Sequence, residues 1–341
     1  MRVTQRDIAR YARVSQATVS RVLAGDSRVE PELRSKVMDA ISRHNYQPDA
    51  RARSLRTQAS HLIGLAIQRP QGGLNGDPFF TSLISEILDI LVHTNYHLCL
   101  ETVPAGRSQG SVYDELLRSR RVDGLILVES EANDERLDRL QRDQFPFVLI
   151  GNPLSANVWS VDNDNVYAGE VATRHLFENG YRRVGFLAGR PGITVSEDRL
   201  AGYQKVTAEH GAPCRVWHAE FGFESAREMA VRALSGSDAP DALVVLDDFM
   251  AMGVVLAARE LRLHIPEDLG LVSFNDTNVC QFLACGLSSV RLNIPEIVKS
   301  AVGTLLAMME GKQAETPQRH VVPCVLRVRG SSQRAGRGTW I

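Results

Sequence analysis

A small all-α head, joined through a hinge to an α/β core of two doubly wound parallel-sheet subdomains, is the fold this 341-residue sequence predicts. Three observations point to it. The run VTQRDIARYARVSQATVSRVLAG, from Val3 to Gly25, places apolar residues at helical spacing in two short blocks. From Leu62 onward, short apolar runs alternate with helical patterns in the rhythm of a parallel sheet. Between them DARARSLRTQAS is rich in arginine and serine, with no apolar stripe wide enough to bury by itself.

In the head, Thr4 followed by Asp7 reads as an N-cap with a carboxylate near the helix start, and Ile8, Ala9 and Ala12 form one stripe. Ser15 then caps a second helix to about Leu23, with Val14, Val19, Val22 and Leu23 turned inward and Gly25 as its stop. Pro31 fits the first position of a third helix, whose stripe is Leu33, Val37, Ala40 and Ile41; Asn45 and Pro48 end it.

Burying those residues leaves Gln16, Ala17, Ser20 and Arg21 on the opposite face of the second helix. Arginine makes the common bidentate contact to guanine, glutamine pairs with adenine and alanine touches a thymine methyl. Gln16, Ala17 and Arg21 are therefore the expected base readers, with Thr4, Ser15, Thr18, Ser20, Arg28 and Tyr46 expected on phosphate. A polar helix face alone is weak support, since any two-helix corner has one. Charge strengthens it: residues 1–60 hold twelve Arg or Lys against six Asp or Glu, whereas the remainder holds 27 against 34. A near-neutral total conceals a basic head on an acidic body.

The body runs HLIGLAI, SLISEILDILV, YHLCLETV, SVYDELLRSR, VDGLILV, ERLDRLQRD and PFVLIG, then breaks near Trp159 to Asp162. The rhythm resumes at AGEVATRHLFENG and continues through RRVGFLAG, VWHAE, ALVVLDD and LGLVSFND, with helices between them. About ten strands exceed one unit of about 150 residues, so two subdomains with a cleft at the carboxyl ends of their strands are expected. Cleft candidates follow strands: Asp77, Phe79 and Phe80; Asp247 and Asp248; Asn275 and Asp276; Arg199 precedes LAGY. Phe79 and Phe80 equally fit a core, and Asp248 a helix cap. Carboxylates, an amide, an arginine and aromatic rings suit a hydroxyl-rich ligand.

Other classes fit poorly. The polar, basic amino terminus has no apolar segment of a signal peptide, and no apolar run is long enough to span a bilayer, which argues for a cytoplasmic protein and against a periplasmic solute-binding protein. Cys99, Cys214, Cys280, Cys285 and Cys324 are odd in number and lack C-x-x-C spacing, so neither disulfides nor a zinc site are expected. No H-E-x-x-H, G-x-S-x-G or phosphate-loop pattern occurs, so neither an enzyme nor a cofactor is expected.

The segments VTQRDIARYARVSQATVSRVLAG, HNYQPDARARSL, DRLAGY and SFNDT resemble, in order and spacing, the lactose/galactose-repressor family of bacterial transcription regulators, a match that spans essentially the whole chain. The resemblance implies a helix-turn-helix DNA-binding domain at 1–46 and a hinge at 47–60. It implies a periplasmic-binding-protein-like core of two subdomains, 61–161 with about 292–322 and 162–291 with about 323–330, then a tail at 331–341. SSVRLNIPEIVKSAVGTLLAMMEGK would return to the first subdomain as a helix, and HVVPCVLRVRG would cross again.

It further implies a dimer on a palindromic double-stranded DNA operator. Leu55 would wedge into the minor groove, flanked by Arg51, Ala52 and Arg53; on the residues alone, Leu55 packing against the following domain is as good a reading. The family's effector positions fall on Phe80, Arg199, Asp247 and Asn275, with Phe79 and Phe221 as walls, which implies a repressor controlled by a carbohydrate or glycoside. The alternative is the same architecture answering to a protein partner.

Departures from the family are Arg13 for Gly in the inter-helix turn, Ala24 for Asn and Asp49 for Asn. In the cleft, Gly151 and Asn152 stand where some sugar-responsive members carry a carboxylate or arginine, Leu292 replaces a polar residue, and Ile193 takes the place of a purine-clamping arginine. The ending GSSQRAGRGTWI has no leucine heptad for a tetramer, which leaves a homodimer.

Overall fold

The computed structural model describes residues 3–46, 59–67, 76–102, 109–119, 121–154, 157–312 and 316–334. The hinge residues Arg51, Ala52, Arg53 and Leu55 lie outside them. The chain divides into two compact units, Met1–His61 and Leu62–Ile341.

The first unit is three helices, α1 (Gln5–Ala12), α2 (Gln16–Leu23) and α3 (Pro31–Arg43). Each start has a chemical cause. Thr4 and Asp7 form a reciprocal capping box: Asp7 N–H donates to Thr4 Oγ1, and Thr4 N–H to Asp7 Oδ2. Ser15 Oγ accepts Thr18 N–H at 3.0 Å, and Pro31 opens α3. Arg13 ends α1 in the left-handed region at φ 54, the conformation the family's usual glycine adopts without cost. Ile8, Ala9, Ala12, Val19, Val22, Val37 and Ala40 are the buried core, ringed by Val14, Leu23, Ile41 and Tyr46.

The second unit holds two six-stranded sheets. The first, all parallel, runs β11 (Arg319–Val322), β5 (Ser160–Asn163), β4 (Phe147–Ile150), β3 (Gly124–Val128), β1 (Leu62–Ile67), β2 (His97–Thr102). The second runs β12 (Val325–Arg327), β10 (Ser288–Arg291), β9 (Gly270–Asn275), β8 (Ala242–Val245), β6 (Val184–Ala188), β7 (Val216–His218), parallel except where β12 opposes β10. Helices α4 (Pro78–Leu91), α5 (Gln109–Arg118) and α6 (Glu135–Arg142) follow strands of the first sheet. Helices α7 (Asn165–Glu178), α8 (Thr194–Glu209), α9 (Phe223–Leu234) and α10 (Asp248–Glu260) connect the second, and α11 (Ile294–Met309) returns to pack on α4, β3 and β4. The chain thus passes between sheets three times: after β5, after β10, and from β11 to β12.

The described residues hold twelve strands against the expected ten or so. The two that escape the periodicity are β5, SVDN, and β10, SSVR, short polar segments whose residues are nonetheless almost all buried. Their polar side chains find partners inside: Ser289 Oγ donates to Asp248 at 2.7 Å, and Ser288 Oγ to the Arg329 carbonyl at 2.9 Å. The expected tail also needs correcting. Ser331 and Ser332 are fully buried; Ser331 Oγ donates to the Leu271 carbonyl at 2.7 Å, and Ser332 Oγ lies 2.6 Å from Ser288 Oγ.

Helices α7 and α8 cross so closely that side chains are excluded at the contact. A Cβ on Gly202 would lie 2.1 Å from the Val166 carbonyl oxygen, and one on Gly169 2.2 Å from that of Arg199. This crossing fixes the height of Arg199 on α8. Gly202→Ala should therefore destabilise the core by at least about 2 kcal/mol net of the helix-propensity gain. Ala201→Gly, at an exposed neighbour, should cost only about 1 kcal/mol. Denaturant unfolding measures both, and equal effects would contradict the close-crossing account.

Candidate functional site

On α2, Val19 and Val22 face the core, and Gln16, Ala17 and Arg21 are exposed side by side. Ser20 is half-buried, so it departs from the open face expected of it. The hydroxyls expected on phosphate have other work: Thr4 donates to Asp7 at 2.6 Å, and Ser15 and Thr18 share a hydrogen bond at 2.9 Å within the cap. Arg28 grips Asp26 with Nε and Nη2, both at 2.9 Å, and this pairing lowers the Asp26 carboxyl to about 2. Tyr46 packs on the head core. Arg21, by contrast, is exposed at the margin of a groove between α2 and α3.

In the core, a cleft opens where strands of both sheets end. Phe79, Asp77, Val128, Glu129, Ile150 and Gly151 contribute from the first subdomain, and Arg199, Phe221, Leu246, Asp247 and Asn275 from the second. Asp162, Asn163, Asn165 and Leu292 enter from the crossing segments. Of the residues expected there, Phe79, Arg199, Phe221, Asp247 and Asn275 line the cleft and Phe80 does not. Phe80 is only 2% exposed among Leu83, Ile87 and their neighbours, and meets Phe79 edge-on at 5.3 Å. Adjacent residues on α4 point about 100° apart, and here Phe79 turns to the cleft while Phe80 turns to the core.

Arg199 is the centre of the polar lining. Its Nε donates to Asn165 Oδ1 at 3.0 Å, its Nη1 to the Leu246 carbonyl at 2.6 Å, and its Cζ lies 4.4 Å from the centre of the Phe274 ring. Burial lowers its pKa to about 10, so it stays charged at neutral pH. The chain of contacts continues: Asn165 Nδ2 donates to Asp162 Oδ1 at 2.9 Å, and Arg319 Nη2 to Asp162 Oδ2 at 3.0 Å. Beside it, Asn163 Nδ2 donates to the carbonyls of Leu292 at 3.0 Å and Val322 at 2.7 Å. One amide thereby ties all three crossings together.

Asp247, not Asp248, caps α10, accepting Met250 N–H at 2.6 Å. Asp248 is fully buried, taking hydrogen bonds from Ser273, Ser289 and both the amide and hydroxyl of Thr277. Two lining residues hold a left-handed backbone that costs a non-glycine residue free energy: Glu129 at φ 59 and Asn275 at φ 102. Glu129 is held there by its own N–H to the Ile150 carbonyl and by Arg136 Nη2, which donates to its carbonyl at 2.7 Å.

A second set of contacts joins the lobes away from the crossing edge, between loops after β3 and β4 and the loop after β6 with the first turns of α8. Ser130 Oγ lies 2.8 Å from Thr194 Oγ1, Thr194 N–H donates to the Ser130 carbonyl, and Ala132 N–H to that of Gly192. Asn152 Nδ2 donates to Asp198 Oδ2 at 2.9 Å, and Arg190 pairs with Glu131 at 2.8 Å.

The head and the core each match a known family model: residues 4–49 the bacterial regulatory proteins of the lacI family, and residues 173–332 the periplasmic binding protein-like domain. Catabolite control protein A of Staphylococcus xylosus is 30% identical over 336 residues, 98% of this chain and 100% of that protein. The chain belongs to the lacI family of bacterial regulatory proteins. Among solved structures, the transcriptional regulator CelR in complex with cellobiose is 25% identical, covers 97% of this chain and 100% of its own, and has a TM-score of 0.74. The lac repressor dimer bound to operator and the anti-inducer ONPF is 24% identical with a TM-score of 0.84, over 98% of this chain and 100% of its own, a likeness of fold.

As a lacI-family transcriptional regulator, the protein carries cleft residues that its sequence did not single out: Glu129, Asp162, Asn163 and Asn165. Glu129 had a signal, since it directly follows the apolar run VDGLILV. The other three lie in VDNDN, which reads as a break. Among the described residues, no helix is long and apolar enough to cross a membrane, and no cluster of three or more His, Cys, Asp or Glu could hold a metal ion.

Asp162 gives the regulator a measurable pH signature. Burial raises its carboxyl from 3.8 to about 6, outweighing Arg319, whose side chain remains 39% exposed and hydrated. The folded state therefore holds the proton more tightly than the unfolded chain. Stability from this group is full below the unfolded value and is lost as pH rises through about 6. The span corresponds to at most about 3 kcal/mol. Relative to Asp162→Asn, the wild-type core should lose stability by up to that amount between pH 4 and pH 7, read by denaturant midpoints. A flat difference would place the carboxyl at its ordinary value.

Proposed function

We propose that this lacI-family regulator is a cytoplasmic homodimer that binds a palindromic operator and represses transcription under control of a carbohydrate or glycoside held in the cleft. The observation that carries the reading is the pairing, in one chain, of an α2 face exposing Gln16, Ala17 and Arg21 with a cleft walled by Phe79 and Phe221 and floored by Arg199, Asp247 and Asn275. Rings from opposite subdomains suit the C–H faces of a sugar, and the carboxylates and amides suit its hydroxyls. Cellobiose bound to CelR, a structure alike over nearly the whole chain, supports the class of ligand.

In this reading α2 enters the major groove, Arg21 reads guanine, Gln16 and Ala17 read adjacent base edges, and Thr4, Ser15, Thr18, Ser20, Arg28 and Tyr46 serve the phosphates. Arg51, Ala52, Arg53 and Leu55 contact the minor groove. Ligand binding and operator binding form one linked equilibrium through cleft geometry. The fold serves binding, not catalysis.

Selecting bound sites from random DNA tests the first half. A palindrome is expected, and single unpaired half-sites would contradict the dimer. Arg21→Ala should relax preference at one base pair per half-site at a cost of about 1–3 kcal/mol; unchanged preference would remove Arg21 as a base reader. A thermal-shift screen of sugars, glycosides and nucleosides tests the second half, and silence alongside intact DNA binding would transfer control to a protein partner.

A further inference from the structure

Resting on the reading of the head as a DNA-binding surface with Arg28 on phosphate, we propose that Asp26 competes with the DNA backbone for Arg28 and so lowers the protein's affinity for DNA of any sequence. Its position and its partner both point there. Past the end of α2 the chain turns through Gly25 at φ 73, and three hydrogen bonds fix the Asp26 backbone. Its N–H donates to the Arg21 carbonyl at 3.1 Å, and its own carbonyl accepts Val29 N–H at 3.2 Å and Arg34 Nη2 at 2.7 Å. Asp26 so held lines the same groove as Thr18, Arg21 and Arg28. A carboxylate there stands among the groups that approach the duplex when α2 reads bases, and phosphate repels it.

Asp26 grips Arg28 with both oxygens. Oδ1 accepts the Arg28 backbone N–H at 3.0 Å and Nε at 2.9 Å, and Oδ2 accepts Nη2 at 2.9 Å. The Nε–Nη2 edge is one of the two on which a guanidinium takes a phosphate through paired hydrogen bonds, and here a carboxylate of the same chain occupies it. The pair therefore meets the field of DNA as a neutral unit. If Arg28 stays with Asp26, it neutralises no phosphate; if it exchanges partners, the carboxylate is left charged beside the duplex. In both cases about one counterion fewer is released than by a lone arginine. The Arg28 side chain is 87% exposed, so water screens the pair and the exchange costs a few-fold in affinity rather than orders of magnitude. Because phosphate carries no sequence information, the penalty falls equally on every site.

Fluorescence anisotropy of the full-length protein with a mixed-sequence DNA duplex, repeated over a series of potassium chloride concentrations, tests this. Asp26→Asn keeps an oxygen for the Arg28 backbone N–H, and so the turn, while removing the charge that holds the guanidinium. It should bind about three- to tenfold more tightly and steepen the slope of log affinity against log salt by about one. With Arg28→Ala already in place, the same change should gain less than about twofold. Unchanged or weaker binding by Asp26→Asn overturns the proposal, the latter by making Asp26 a support that presents Arg28 to DNA. An equal gain without Arg28 overturns it too, since a surface charge alone would then account for the effect. Selection from random DNA by the Asp26→Asn protein should return the wild-type preference, and an altered preference would make Asp26 a base reader instead. Failure of the wild-type protein to bind the duplex even at low salt is a separate result, against the DNA-binding surface itself.

Discussion

The side-chain amide of Asn163 is the contact on which the core's architecture turns. Two subdomains made from one chain by three crossings have three independent ways to drift apart, and a parallel sheet offers no hairpin to hold its edge. Asn163, at the end of β5, donates from one nitrogen to the carbonyls of Leu292 and Val322, which lie on the other two crossings. It is 2% exposed, and the residues whose carbonyls it meets, Leu292 and Val322, are 4% and 0% exposed, so the contacts are made out of water. The same short segment supplies Asp162 and Asn165 to the polar chain that ends at Arg199. The crossing point and the cleft floor are therefore one structure, and a change in the angle between lobes is felt directly by the residue at the centre of the lining.

Much of this was legible beforehand because it rests on apolar periodicity and capping chemistry. Val19 and Val22 repeat at helical spacing, Thr4 and Asp7 announce a capping box, and runs such as GLILV, short and bounded by polar residues, fit a buried strand. Arg13, where the family has glycine, marked the inter-helix turn in the sequence, and its left-handed backbone came only with the structure. Phe79 and Phe80 were both candidates for the cleft because sequence adjacency says nothing about which of two neighbours on a helix turns inward.

What escaped was organised by hydrogen bonds rather than by hydrophobicity. SVDN and SSVR carry one apolar residue each, yet both are interior strands, since Ser288, Ser289, Asp162 and Asn163 find partners on segments far away in sequence. The burial of Ser331 and Ser332 belongs to the same class. A polar residue is buried when its partner is in place, and partnership over such separations leaves no local trace. Asp248 is the extreme case: a carboxylate with four donors around it, indistinguishable in sequence from a helix cap.

The lobes also meet through Ser130, Thr194, Asn152 and Asp198, and the character of that seam sets the energetic scale of opening. Its polar contacts are hydrogen bonds and one exposed ion pair. Water can replace each such bond, so the net cost of parting the seam is far smaller than the gross strength of the contacts broken. Two nearly isoenergetic arrangements of rigid lobes about a pinned edge are the condition under which a small ligand, worth only a few kcal/mol, can tip a population. A seam of interlocked leucines would have frozen the core in one state.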